Sequence, residues 1–140
     1  MRSVVFDTQA LLVFYLGEAG SDRVESCLEQ VSRGETKGYL NVVNLTEFHY
    51  ILRRVGKTTA EEKERNLRSF GVKIVPVTDS SPLWREAAAI KADNALSLAD
   101  AFAASTALLR KGTLLTGSDV EFDRVKGLKV ERVGGQSLPG

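Results

Sequence analysis

A chain of 140 residues is long enough for one compact domain and too short for two, and 43% apolar with 26% charged residues places it in the globular range rather than the disordered, collagen-like or membrane classes. Nineteen Lys and Arg against 18 Asp and Glu give a net charge of +1, which excludes a strongly basic nucleic-acid-coating protein. A single Cys27 and a single His49 exclude an internal disulfide and a His- or Cys-cluster metal site, so any metal here is held by oxygen.

From the start, residues 3–6 read as a buried strand, 10–16 as a short helix, and 21–32 as an amphipathic helix carrying Val24, Cys27, Leu28 and Val31 at spacings of three and four. The charge-free stretch 8–17 is too short for a bilayer span, which needs about 20 apolar residues. Asp7 precedes it rather than a basic leader, so no targeting segment and no membrane association are expected, and a cytoplasmic location is. A second strand is predicted over 39–43. Asn44-Leu45-Thr46-Glu47 then has the spacing of a capping box opening a helix to about Val55, which Gly56 stops. Thr59 to Glu62 repeats that spacing before a charged helix through Phe70, ended by Gly71.

Residues 73–77 form the next predicted strand, and Pro76 within it points to an edge or a strand end. Ser81-Pro82 starts a helix through Trp84, Ala87, Ala88 and Ile90, and Ser97-Leu98-Ala99-Asp100 starts an alanine-rich one to about Leu109. A strand over 113–116, a short helix over 119–126 and a strand over 128–133 complete the chain. The expectation is one α/β domain over 1–133 with a mainly parallel sheet, and a flexible tail over 134–140.

Most acids lie on polar helix faces or helix starts, where solvated charge belongs. Four do not: Asp7 follows Val4-Val5-Phe6, Glu47 lies between Leu45 and Phe48, Asp100 lies in Leu98-Ala99-Asp100-Ala101-Phe102, and Asp119 follows Leu114-Leu115-Thr116-Gly117-Ser118. Asp7 and Asp119 fall just past predicted strand ends, while Glu47 and Asp100 fall in first turns of helices that follow such ends. In a parallel sheet these positions share the carboxyl edge, where ligands bind. Two like charges about 4 Å apart repel by roughly 4 kcal/mol at an effective dielectric near 20. Four together invite a cation, and oxygen-only ligation suits Mg²⁺ or Mn²⁺. Metal-assisted phosphodiester hydrolysis is the chemistry that follows.

Helix capping is the competing explanation for each acid. Asp7 and Asp119 would be N-caps, and Glu47 and Asp100 third-position members of capping boxes, leaving a non-catalytic α/β binding module. Capping does not explain why all four acids fall at one edge. Asp123, four residues after Asp119, is a possible supporting member. His49 sits on a different helix face from Glu47, Cys27 fits a core stripe, and Phe48, Ile51, Leu52 and Val55 form a packing stripe. Basic groups occur at Arg53-Arg54 with Lys57, at Lys63, Arg65 and Arg68, and at Arg110-Lys111; some must flank the crevice if it holds a polyanion. With the four acids set aside, 19 basic residues face 14 acidic ones.

The segments Val-Val-Phe-Asp7-Thr8, Asn44-Leu45-Thr46-Glu47, Leu96 through Ala104 around Asp100, and Leu114-Leu115-Thr116-Gly117-Ser118-Asp119, with their acids 40, 53 and 19 residues apart, resemble the PIN-domain ribonucleases over essentially the whole chain. At this size the resemblance is greatest to the VapC-type toxins of toxin–antitoxin pairs. It implies a three-layer α/β/α sandwich and Mg²⁺- or Mn²⁺-dependent endoribonuclease activity on RNA. Asp7, Glu47, Asp100 and Asp119 match the acidic quartet. Asp7, Asp100 and Asp119 would chiefly hold metal, and Glu47 would ligate through water or orient the attacking water. A homodimer and a cognate antitoxin protein are implied partners; an RNA-processing nuclease without an antitoxin is the alternative. Thr8 would support the site, Gln9 stands where Asn or Ser is usual, and the fourth segment has one extra residue, so that Thr116 or Ser118 supplies a supporting hydroxyl.

Overall fold

Five strands and six helices are present in the computed structural model, which describes residues 1–118 and 120–134; Asp119 and the tail from residue 135 lie outside the described residues. β1 (Arg2–Phe6) leads into α1 (Thr8–Tyr15) and α2 (Ser21–Ser32), and β2 (Thr36–Asn41) into α3 (Val42–Arg53) and α4 (Lys57–Ser69). β3 (Lys73–Val75) leads into α5 (Pro82–Asp93) and α6 (Leu98–Leu109), and β4 (Thr113–Thr116) passes through a 3-10 turn (Glu121–Arg124) into β5 (Lys129–Arg132).

All strand pairings are parallel, in the order β3-β2-β1-β4-β5. The chain winds outward from β1 to β3 and then crosses back to β4 and β5, so the winding reverses between β1 and β4. At such a reversal the connections leave in opposite directions and open a crevice at the carboxyl ends of the strands. β1 is central, and Val4, Val5 and Phe6 are fully buried. Because strand side chains alternate, Val4 and Phe6 join a core with Leu11, Leu28, Phe48 and Leu67 of the first four helices, while Val5 joins a second core with Ala87, Ile90, Ala103 and Ala104 of α5 and α6. These two cores on opposite faces make the α/β/α sandwich.

Caps explain where several helices begin. Ser81 accepts from the Leu83 amide at 3.1 Å with Pro82 in the first turn, and Ser97 accepts from the Asp100 amide at 3.1 Å, as their sequences predict. β3 stops at Val75 just before Pro76 and lies at the sheet edge, where a missing amide is tolerated.

The second strand and third helix depart from expectation. β2 covers Thr36–Asn41 rather than 39–43, and α3 starts at Val42 with Asn41, not Asn44, as its cap; Asn41 Oδ1 accepts from the Val43 amide at 2.8 Å. Val42 and Val43 have strand propensity, but in a first helical turn there is no preceding turn for a branched side chain to crowd. Gly38 lies inside β2 because a Cβ there would come within 2.8 Å of Val31, so the glycine lets α2 pack against the sheet. α4 likewise begins at Lys57 after Gly56, without a side-chain cap, so the Thr59–Glu62 spacing caps nothing. The expected helix over 119–126 is reduced to one 3-10 turn. Among the described residues, no helix is long and apolar enough to cross a membrane.

Candidate active site

Asp7 leaves the end of β1 directly into α1. Its Oδ1 caps that helix by accepting from the Ala10 amide at 2.8 Å, and its Oδ2 accepts from the Thr116 hydroxyl at 2.5 Å. The register that sets Phe6 opposite Leu115 brings Thr116, the last residue of β4, beside Asp7, and the Asp7 amide donates to the Leu115 carbonyl at 3.0 Å. Thr116 is fully buried and Ser118 is exposed, so the hydroxyl that reaches Asp7 is that of Thr116.

Asp7 is only 2% exposed, and its described hydrogen-bond partners are both neutral. Burial pushes its carboxyl up from 3.8 to about 7; the Thr116 and Ala10 hydrogen bonds oppose this, and the charges of Asp100 and Glu47 add to it. Two of the other predicted acids, Asp100 and Glu47, therefore act on Asp7 across the crevice. The fourth, Asp119, lies outside the described residues.

Glu47 is half-buried in the second turn of α3. The shift of the cap to Asn41 removes the capping-box role assigned to Glu47 from sequence, and helix capping leaves this acid unexplained. Asp100 is half-buried in the first turn of α6, at the position whose amide the Ser97 cap takes. Thr8 is 5% exposed and donates to the Asn44 carbonyl at 3.2 Å, joining α1 to α3. Gln9 lies over Gly117, where any Cβ would come within 2.6 Å of its side chain.

Other sequence candidates lie elsewhere. Asp123 is exposed in the 3-10 turn and pairs with Arg132 at 2.5 Å. His49 pairs with Glu64 at 3.4 Å, Cys27 is buried in the core, and of the packing stripe Phe48 and Leu52 are buried while Val55 is 70% exposed. Arg110 and Lys111 follow the last residue of α6, the opposite end of that helix from Asp100, and Arg110 stacks 4.8 Å from the Tyr39 ring centre. Arg54 lies 5.0 Å from the Tyr50 ring and Arg68 pairs with Glu64 at 2.9 Å. A cleft of about 860 Å³ between residues 17–23 and 131–133 includes none of the three acids, and its Arg23 is already paired with Glu131.

Buried polar residues are what an inspection of acids alone misses. Asn41 donates from Nδ2 to Thr106 Oγ1 at 2.9 Å, and Asn44 donates from Nδ2 to the Ala99 carbonyl at 3.0 Å; all three of Asn41, Asn44 and Thr106 are fully buried. The signal was present as Asn41 and Asn44 within Leu40-Asn-Val-Val-Asn-Leu45, polar residues in an apolar run just as the acids are.

Among the described residues, no three carboxylate, imidazole or thiol groups gather closely enough to hold an ion by themselves. The donor set nonetheless fits a hard divalent cation: every candidate is oxygen, the charges of Asp100 and Glu47 raise the proton affinity of Asp7, and the buried Asn44 Oδ1 has no hydrogen-bond partner among the described residues.

Comparison with known proteins gives the family and the fold. The PIN domain family model matches residues 4–128. The fold is similar to VapBC2 from Rickettsia felis bound to a DNA fragment from its promoter, with a TM-score of 0.76 and 16% identity over 93% of this chain and 98% of that one. It is similar to DNA-bound VapBC from Salmonella typhimurium, with a TM-score of 0.72 and 14% identity over 94% and 98% of the two chains. For FitAcB from Neisseria gonorrhoeae the TM-score is 0.66, with 20% identity over 91% and 95%. No curated protein sequence matches.

Proposed function

Because this chain belongs to the PIN domain family, a family of nucleases, we propose that it is a divalent-metal-dependent endoribonuclease and the toxin of a toxin–antitoxin pair. The observation that carries this reading is Asp7: a carboxylate buried at the reversal of the sheet, held by two neutral donors and raised to about 7 beside Asp100 and Glu47. Capping accounts for one oxygen of Asp7 and for the position of Asp100, but not for Glu47.

Asp7, Glu47, Asp100 and Asp119 are the residues that would hold Mg²⁺ or Mn²⁺. The bound ion would supply a more acidic water and neutralise charge developing on phosphorus. The chain's own residues prepare for it. Thr116 and the Ala10 amide favour ionised Asp7 and fix its orientation. Burial keeps bulk water from this carboxylate, so its attraction for a cation would be screened less than at the surface. Thr116 and Thr8 support the site in this reading, whereas Ser118 is exposed and the pairing of Asp123 with Arg132 leaves Asp123 a marginal member. An RNA substrate, an antitoxin partner, a homodimer and a cytoplasmic location are part of the same proposal. The similarity in fold to the VapBC assemblies named above supports the antitoxin.

Synthetic single-stranded RNA, incubated with the purified chain in EDTA and then in Mg²⁺ or Mn²⁺, tests this. Cleavage is expected only with metal and is expected to disappear in Asp100→Asn. Equal cleavage in EDTA, or by folded Asp100→Asn, overturns the reading. Co-expression with the product of an adjacent small gene should abolish cleavage if the chain is a toxin.

A further inference from the structure

Asn44 has no part in capping, because Asn41 caps α3, yet it is fully buried at the meeting of three helices. Its Nδ2 donates to the carbonyl of Ala99, the residue before Asp100. Its own backbone carbonyl accepts from Thr8, the residue after Asp7. Glu47 lies three positions later on the same helix, and positions three apart share a face. One residue thus bonds to the immediate neighbours of two of the acids and lies one turn from the third. Among the described residues its buried Oδ1 has no hydrogen-bond partner, a condition that native proteins rarely leave uncompensated.

We propose that Asn44 is the positioning residue of the acidic crevice: it fixes the first turns of α1 and α6 against α3, and it offers Oδ1 as an acceptor for water arriving with the cation. This rests on the metal-site reading above. Partners one layer outside a metal's ligands set ligand orientation, and their loss typically weakens metal affinity 10- to 100-fold. A purely structural Asn44 would instead lower the stability of the metal-free protein and leave affinity unchanged.

The test uses the full chain stripped with EDTA and titrated calorimetrically with Mn²⁺ alone, with thermal unfolding measured in parallel. Asn44→Ala and the closer-volume Asn44→Leu are expected to weaken Mn²⁺ binding about 10-fold or more, and Thr8→Val is expected to weaken it by a smaller factor. If wild type binds and Asp7→Asn does not, but both Asn44 variants bind within about twofold of wild type, the metal reading stands and this proposal falls. If wild type binds no Mn²⁺, both fall. Should the variants fail to fold, ¹⁵N-labelled wild type still decides: the Asn44 side-chain amide signal is expected to broaden at substoichiometric Mn²⁺ before that of Asn66 on α4. Simultaneous or reversed broadening overturns the proposal.

Discussion

Two acids of the central sheet are treated in opposite ways. Glu131 on β5 lies between Arg2 and Arg23, with its side chain 20% exposed and both cations in contact. Asp7, at the end of β1, is more deeply buried, has only a hydroxyl and an amide as described hydrogen-bond partners, and feels two further acids. Among the described residues, the fold therefore pairs Glu131 with two cations and gives Asp7 only neutral hydrogen-bond donors. Uncompensated buried charge costs stability. The buried Asp7 lies at the edge where the sheet reversal opens a crevice, which is where the proposed cation would do the neutralising.

The sharpest way to break that contrast is to remove each charge without changing shape. Asp7→Asn is expected to lower cleavage about 10³-fold or more, equivalent to roughly 4 kcal/mol of transition-state stabilisation. Glu131→Gln should leave cleavage within about twofold and cost at most about 1 kcal/mol of stability, since partly exposed pairs contribute little. Side-by-side RNA cleavage and urea titrations of the two variants check this. Similar activity losses would remove the distinction between the two acids.

A second expectation follows from proton linkage. The Asp7 pKa rises from 3.8 unfolded to about 7 folded, so between these values the native state binds more protons than the unfolded one. Metal-free stability attributable to this group is then fully present below about pH 4 and is lost as pH rises to 7, a change of up to about 4 kcal/mol. Asp7→Asn should flatten that segment of the profile, and added Mg²⁺ should restore stability at pH 8 by binding the folded state. Chemical denaturation at pH 5 and pH 8, with and without metal, measures it. A wild-type profile that rises with pH in EDTA, unchanged in Asp7→Asn, contradicts the assignment.

Thr116→Val is expected to have a smaller effect. Its hydroxyl bonds the carboxylate, and hydrogen bonds to charged groups contribute about 1.5–3 kcal/mol. The loss should be larger at pH 8, where Asp7 is ionised, than at pH 5, where it is protonated. An equal loss at both pH values indicates that the contact serves packing alone.

How far the sequence reveals this site depends on which interactions are local. Asp7 and Asp100 were legible because each is a charge in an apolar run next to a strand end or a helix cap, features readable within a few residues. The edge strand ending at Pro76 and the caps at Ser81 and Ser97 were legible for the same reason. Glu47 stands out in sequence as an acid in an apolar run, but it lies a turn further into its helix than the sequence suggests, because Val42 and Val43 have strand propensity and the Asn41 cap that turns them helical is also bonded to Thr106, 65 residues away. The choice between Thr116 and Ser118 depended on the register of β4 against β1, a pairing of residues more than 100 apart that local pattern cannot fix.

The smallest effect concerns a region where strain has no chemical use. Lys111 adopts φ 52°, the left-handed conformation that costs an L side chain about 1–2 kcal/mol, while the glycine beside it, Gly112, is retained because a Cβ there would come within 2.9 Å of the Ser3 carbonyl. Close packing against β1 thus occupies the one glycine, and Lys111 takes the strained turn that ends α6. Lys111→Gly relieves that strain but loosens the unfolded chain, leaving a net gain of about 0.5–1 kcal/mol. Thermal unfolding should shift upward by about 2–4 °C, with RNA cleavage unchanged. The comparison with Asp7→Asn is what gives this variant its value. Both are expected to stabilise the metal-free protein at pH 8, but only the change at the crevice should abolish cleavage, because only there would the destabilising feature serve the proposed chemistry.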